Sequence, residues 1–148
     1  MRLRLTALTA LAAGALLALG AATATATAAG PAHAAPVDAL AVDAYGTAAE
    51  DGTVTLTGSY RCADDSAGPV FVSSTLVQAN RSTGIGGTRA VCDGLVHRWT
   101  NSAVVKDPGY RTGSAHVEAT LMQLTATGPL GLPMPAFLAQ TGQDVTLR

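Results

Sequence analysis

Alternation of apolar and polar positions predicts that this chain is built from β-strands. In residues 53–62 every second position is apolar or glycine, and the positions between them carry threonine, serine or arginine. A period of two is the pattern of a strand with one buried face. Similar patterns occur in residues 37–45, 70–78, 114–126 and 144–148. No segment shows a convincing helical period, so we predict an all-β fold of about seven antiparallel strands.

The turn signal Asp93-Gly94 joins two further alternating runs within residues 85–101. This dipeptide is typical of a two-residue hairpin loop, because its backbone needs positive φ angles. The turn would place Cys92 opposite Leu95 and Thr88 opposite Trp99 on one face. Ala90 and His97 would form a third pair on that face. We predict that the face with Cys92, Leu95 and Trp99 is buried.

The same register places Arg89 opposite Arg98 on the outward face of the hairpin. Like charges so placed repel one another, so each guanidinium needs an anionic partner. One possibility is a carboxylate or phosphate ligand, which a guanidinium binds in a bidentate manner. The alternative is an ion pair with an acidic residue on a neighbouring strand.

Glycine and proline mark the predicted loops. Residues 80–87 contain three glycines, and residues 128–135 contain three prolines and two glycines. Both segments are predicted to be loops. Seven strands at this spacing are typical of a β-sandwich or barrel. We therefore predict a small immunoglobulin-like sandwich or a partly closed barrel, although the tryptophan does not stand between the cysteines as it does in immunoglobulin domains.

Residues 1–34 have the organisation of a secretory signal peptide. Arg2 and Arg4 precede an apolar run over residues 5–19, and residues 32–34 read Ala-His-Ala. The apolar run is too short to span a membrane comfortably, and the small residues suit cleavage between Ala34 and Ala35. We predict a secreted, extracellular protein with a single domain over residues 35–148 and no membrane span after cleavage.

Export and charge narrow the classes of function. Cys62 and Cys92 are the only cysteines, and an oxidising compartment favours a disulfide between them over a two-cysteine metal site. Two of the nine basic residues lie in the leader, so seven remain against ten acidic residues. This balance argues against nucleic-acid binding, which depends on neutralising phosphates.

Several motifs together resemble a family of small secreted actinobacterial proteins of unknown function. The motifs are residues 50–58, 60–62, 68–74, 84–94 and 115–121, and the most specific is residues 84–94, Gly-Ile-Gly-Gly-Thr-Arg-Ala-Val-Cys-Asp-Gly. The resemblance implies export and one compact domain. It implies no activity, cofactor or catalytic residue.

Histidines supply the main candidates for catalysis. His116 and Glu118 share a strand face, and His97 shares its predicted face with Trp99. An exposed polar face explains the first pair, and a hydrogen-bonded structural histidine explains His97. The sequence has no nucleophile-elbow motif, and a disulfide would leave no free thiol. We therefore expect no enzymatic activity, no cofactor and no bound metal.

Three functions remain open. The first is a non-enzymatic module that binds a protein or a cell-envelope component. The second is a small secreted inhibitor of hydrolases, for which residues 63–68, beside Cys62, are the predicted rigid loop. The third is a hydrolase that uses His116 and Glu118.

Overall fold

A computed structural model describes residues 38–106, 109–126 and 128–148. The predicted signal peptide and its cleavage point at Ala34 and Ala35 lie outside these residues. The described part contains eight strands, one short 3-10 turn and no helix long and apolar enough to cross a membrane. The strands are β1 (Ala39–Val42), β2 (Tyr45–Ala48), β3 (Thr53–Arg61), β4 (Val70–Gln78), β5 (Arg81–Arg89), β6 (Val96–Val104), β7 (Gly113–Thr125) and β8 (Met134–Leu147).

The eight strands form one mixed sheet that is not closed. Its path runs β1-β3-β2-β8-β7-β4-β5, and β6 pairs with β3. Strands β1 and β2 pair with opposite ends of β3, so β3 contacts three neighbours. The pairing of β2 with β8 is parallel, and every other described pairing is antiparallel. Strand β2 therefore joins the β1-β3-β6 part of the sheet to the β8-β7-β4-β5 part.

Inward side chains from both parts of the sheet build a common core. Burial alternates along β3, β4 and β7, as a period of two requires. The largest side chains with almost no exposure are Trp99, Leu56, Leu76, Ile85, Leu121 and Leu147. The all-β prediction is therefore confirmed.

A buried asparagine links the two parts of the sheet across this core. Asn101 in β6 donates from Nδ2 to the carbonyl oxygen of Val72 at 3.2 Å and to Ser74 Oγ at 2.9 Å. Ser74 in turn donates to the carbonyl of Ile85 at 2.8 Å. These bonds satisfy polar groups that would otherwise be costly to bury, and they hold β6 over β4 and β5.

One segment that we predicted to be a loop is a strand, and a second is a loop except for its last two residues. Residues 81–89 form β5, and residues 134–135 begin β8. Glycine has a low strand propensity, but this glycine-containing segment still forms a strand. Strand β5 lies at the end of the sheet path and pairs only with β4. Its Gly86 has a φ of 61°, and a Cβ there would lie 2.9 Å from the carbonyl oxygen of Ser102. The glycine thus permits a close approach of β5 to β6.

The predicted Asp93-Gly94 hairpin is wrong. Strand β5 pairs with β4 through a tight turn at Ala79 and Asn80, and β6 pairs with β3. The chain at Asp93 therefore crosses between two parts of the sheet rather than reversing within one. Leu95 lies outside any strand and is 64% exposed, contrary to the prediction. Trp99 is 1% exposed, so its predicted burial is confirmed.

Candidate functional site

A disulfide fixes the segment that connects β5 to β6. Cys62 follows the end of β3, and it is bonded to Cys92 with a Cα–Cα distance of 4.6 Å. This confirms the predicted pairing. Cys62 is fully buried, whereas the residues around Cys92 reach the surface. We call residues 91–96 the disulfide loop.

Two main-chain N–H groups of the disulfide loop donate hydrogen bonds that anchor it beside the end of β3. The Val91 N–H donates to the Tyr60 hydroxyl at 2.9 Å, and the Gly94 N–H donates to the carbonyl oxygen of Cys62 at 2.9 Å. Gly94 has a φ of 80°, which a glycine adopts without strain. The disulfide and the two hydrogen bonds therefore restrain the loop backbone at three points.

Asp93 adds a turn of its own to the loop. Its Oδ1 accepts hydrogen bonds from the Leu95 N–H at 2.9 Å and from the His97 ring at 2.8 Å. The hydrogen bond with His97, followed by that with the Leu95 backbone, holds the pKa of the Asp93 carboxyl below its usual value. The His97 ring also stacks on Tyr60, with ring centroids 5.6 Å apart. His97 therefore has a structural role in supporting the turn.

The restrained loop presents aliphatic side chains to the surface. Val91, Leu95 and Val96 are all exposed, with Val96 at 69%. Val96 also lines a shallow apolar depression of about 140 Å³ beside β1 and the end of β3. Rigid, exposed apolar side chains of this kind are suited to contact with another macromolecule.

The second loop at the disulfide is polar. Residues 63–67 are exposed, and Asp64 accepts hydrogen bonds from the N–H and the hydroxyl of Ser66. Gln123 Nε2 donates to the carbonyl oxygen of Gly68 at 3.1 Å and ties the base of this loop to β7. The loop predicted for an inhibitor is thus exposed and hydrogen-bonded, but it has no large apolar side chain.

Arg89 and Arg98 do not face one another. Arg89 pairs with Phe71 on β4, whereas Arg98 pairs with Ser59 on β3. The predicted opposition of the two arginines is therefore wrong, because it rested on the hairpin. Both side chains are exposed, as predicted. A contact of either arginine with a ligand stays a prediction. The two arginines do not form the shared anion site that suggested this contact.

Arg98 forms the predicted alternative, an ion pair with a carboxylate on a neighbouring segment. Its guanidinium donates to both carboxylate oxygens of Asp43, with Nη1 and Oδ1 3.1 Å apart. The Thr57 hydroxyl also donates to Asp43. The hydrogen bond from Arg98, and then that from Thr57, lowers the pKa of the Asp43 carboxyl. The bond to Asp43 also raises the pKa of Arg98.

His116 meets a carboxylate on the adjacent strand in the middle of the sheet path. Its Nδ1 lies 2.7 Å from Oδ1 of Asp144, the residue directly opposite on β8. The ring packs over Gly142, and depressions of about 520 and 430 Å³ adjoin it. Glu118 lines the second depression.

The described residues show no side-chain nucleophile bonded to this histidine. A histidine that activates a side-chain nucleophile needs a hydroxyl or thiol within hydrogen-bonding reach. Among the described residues, the side-chain partners of the two histidines are Asp93 and Asp144, and neither pair includes a nucleophile. The same residues contain no group of three side chains that could hold a metal ion.

Sequence reasoning treated the disulfide loop as a tight hairpin and placed Leu95 on its buried face, so it missed the exposure of Leu95. The available signal was the Asp93 side chain, which commonly bonds to the backbone two residues later and so forms a turn without strand pairing. The pattern of apolar and polar positions did not show that a strand begins between Leu95 and Trp99.

The architecture defines an all-β domain with one disulfide, and comparison with known proteins gives its family. The chain belongs to a family of unknown function, DUF6299, whose sequence model matches residues 36–148. A comparison with curated proteins finds no match, and neither does a comparison with solved structures.

Proposed function

We propose that this protein is a secreted, non-enzymatic module that binds a protein partner through the disulfide loop. The observation that carries the proposal is the exposure of three aliphatic side chains on a backbone restrained by a disulfide and two hydrogen bonds. Binding costs less when the binding loop is already ordered, because less conformational entropy is lost on association. A cell-envelope protein is included in this class of partner.

The proposal treats the domain as an immunoglobulin-like sandwich or partly closed barrel that displays loops at its ends. Its support is the packing of β6 over β4 through Asn101, together with the Thr88 hydroxyl, which donates to the carbonyl oxygen of Thr100 at 2.7 Å. This side-chain bond lies between β5 and β6, which have no described ladder between them. Such a scaffold holds a loop rigidly while leaving its sequence free to vary.

Affinity capture from the culture supernatant and the cell wall of the source organism tests the binding function. The exported wild-type protein is compared with Leu95→Ser and with the control Val104→Ser, which alters a side chain of similar exposure, 62%, in β6. We expect Leu95→Ser to lose one or more captured proteins that the wild type and the control retain. Equal capture by all three would exclude the disulfide loop as the binding surface.

A second candidate is a small inhibitor of hydrolases. It is favoured by the two restrained loops, residues 63–68 and 91–96, that lie beside the same disulfide. A rigid loop can bind a protease active site tightly, because little conformational entropy is lost on binding. Titration of secreted proteases with the protein tests this candidate. Inhibition at equimolar amounts, lost in Leu95→Ser, would select an inhibitor over a simple binding module.

A further inference from the structure

The turn between β7 and β8 carries a second exposed apolar surface, which we call the hairpin tip. It comprises residues 128–137, which include the 3-10 turn at Pro129–Gly131 and the first residues of β8. Leu130 is 97% exposed and Leu132 is 62% exposed. Met134 and Phe137 are exposed as well. The tip lies in a different strand connection from the disulfide loop and includes none of its residues.

Apolar side chains continue from the tip onto the outward face of the sheet. Phe137 pairs with Met122 on β7, and Met122 pairs with Phe71 on β4. Met122, Phe71 and Leu124 are half-buried. A register shift after Leu121 keeps Phe137 on the same face as Met122. The exposed tip is thus the end of a continuous apolar band.

The tip carries no charge that a charged partner could recognise. The sequence between Glu118 and Asp144 contains no charged residue and no histidine. A surface of this kind matches an uncharged, apolar environment. The residues of the tip themselves present no charge to anionic headgroups or to a charged protein rim.

The backbone of the tip has few hydrogen-bond donors that need water. Pro129, Pro133 and Pro135 have no N–H group. The Gly131 N–H donates to the carbonyl oxygen of Gly128 at 3.1 Å, and the Leu132 N–H donates to that of Pro129 at 3.4 Å. Unpaired backbone groups are the main cost of placing a turn in hydrocarbon, and the tip has reduced that cost.

We propose that the hairpin tip inserts into the acyl layer of a lipid bilayer, with Leu130 and Leu132 entering first. A stable protein interface buries about 800 Å² on each partner, whereas a typical exposed apolar patch covers about 300–600 Å². The tip spans residues 128–137, fewer residues than the roughly 20–30 that each partner contributes to such an interface. Insertion into a bilayer requires no complementary surface, so the small area is sufficient for reversible attachment.

Flotation with vesicles of pure phosphatidylcholine tests the insertion. The exported protein, collected from culture medium, is compared with the double variant Leu130→Asp with Leu132→Asp and with Val104→Asp as the matched control. We expect the wild type and the control to float with the vesicles, and the partition coefficient of the double variant to fall by about tenfold or more, because aspartate is costly in hydrocarbon. Raising the salt concentration should leave the binding of the wild type unchanged.

Other outcomes would overturn the insertion. Wild-type protein that stays with the soluble fraction, or equal losses in the double variant and in Val104→Asp, would each do so. Urea unfolding of the three proteins shows whether a variant has lost only the apolar surface or the fold as well. Because the replaced side chains are exposed, we expect all three proteins to unfold alike. A concentration-dependent dimer without vesicle binding, abolished in the double variant, would assign the tip to contact with a second copy of this chain. None of these results tests whether the disulfide loop captures proteins through Leu95.

Discussion

Trp99 lies where three strands meet, and its environment determines how much one residue contributes to the fold. It is in β6, its Nε1 donates to the carbonyl oxygen of Ala41 in β1 at 3.0 Å, and Gly58 of β3 lies against its indole ring. Replacement of Trp99 by alanine removes a buried ring and its hydrogen bond to Ala41, and it leaves a cavity. We expect a loss of about 3–5 kcal/mol in the free energy of unfolding, measured by urea denaturation.

Trp99→Phe is the matched control, because it keeps an aromatic ring and removes the hydrogen bond to Ala41. Its loss should be smaller than that of Trp99→Ala. A loss below about 1 kcal/mol for the alanine variant would mean that the indole is not packed as described.

Asp43 gives a prediction for the dependence of stability on pH. Its pKa is lower in the folded protein than the usual value of 3.8, owing chiefly to the hydrogen bond from Arg98 and then to that from Thr57. A carboxyl with a lowered pKa stabilises the fold above its unfolded pKa. That contribution is lost as the pH falls through the folded value. The side chain is partly exposed, so solvent screening limits the contribution to about 1 kcal/mol or less.

We expect wild-type protein to exceed Asp43→Asn in stability at neutral pH, and the difference to shrink as the pH is lowered from about 5 to below 3.8. Urea denaturation of both proteins at a series of pH values measures it. Replacement of the exposed Glu118 by glutamine is the control for the general effect of removing one carboxylate from the sheet surface. A difference between wild type and Asp43→Asn that grows towards low pH would contradict the assignment.

Residue-level predictions from the sequence succeeded where they depended on one strand alone. The burial of Trp99 was predicted from an incorrect hairpin, yet it is confirmed because alternation along β6 already places residues 97, 99 and 101 on one side. The opposition of Arg89 and Arg98 needed the correct strand partner, and it failed. The partner of a strand is decided by contacts far away in the sequence, which a local pattern does not contain.

At the scale of elements, strand β3 is held closely on both sides. Gly58 in β3 pairs with Val42 of β1 and with Trp99 of β6. A Cβ at position 58 would lie 2.0 Å from the carbonyl oxygen of Ala41 and 2.5 Å from Trp99 Nε1. No real contact is that short, so a side chain there would push two neighbouring strands away from β3.

We expect Gly58→Ala to lower the free energy of unfolding by about 1–3 kcal/mol or more, as overpacking does. Gly84→Ala in β5 is the matched control, because its Cβ would meet nothing within 4 Å. The control should be neutral or slightly stabilising, since alanine loses less conformational entropy on folding. Thermal or urea unfolding of the two variants measures the difference in stability. Equal stability of both variants would show that β1 does not pack on Gly58 as described.

The sequence predicted individual strands well and connections poorly. Strand β4 agrees with its predicted range, and β3 and β7 agree to within one residue at each end. These three have the clearest alternation and one buried face. Most of β8 was not predicted, because its first residues include Pro135 and its middle lacks a regular alternation of burial. The candidate loop was equally hidden, since exposure of Leu95 depends on where the chain crosses between strands.

At the scale of the whole molecule, the sheet depends on a short parallel pairing. Strand β2 pairs with β8 only through Tyr45 with Thr146 and Gly46 with Leu147. Three further backbone hydrogen bonds surround this pairing, including those from the Ala48 N–H to the Arg148 carbonyl and from the Arg148 N–H to the Gly46 carbonyl. These contacts join the β3 part of the sheet to the β7 part. They connect residues that are about as far apart as the described sequence allows, so pattern analysis could not reveal them.

Deletion of residues 145–148 therefore tests the integrity of the whole fold. It removes the pairing of β2 with β8 and two buried side chains, Val145 and Leu147, of which the second is 1% exposed. Loss of one such side chain costs about 2–5 kcal/mol, and a domain of this size has about 5–15 kcal/mol in total. We expect the shortened protein to lose its cooperative urea transition. The fluorescence of Trp99 measures this transition. The control Thr146→Ala changes an exposed side chain in the same segment and should unfold as the wild type does. A shortened protein with an unchanged transition midpoint would show that the two parts of the sheet are held together by their core packing alone.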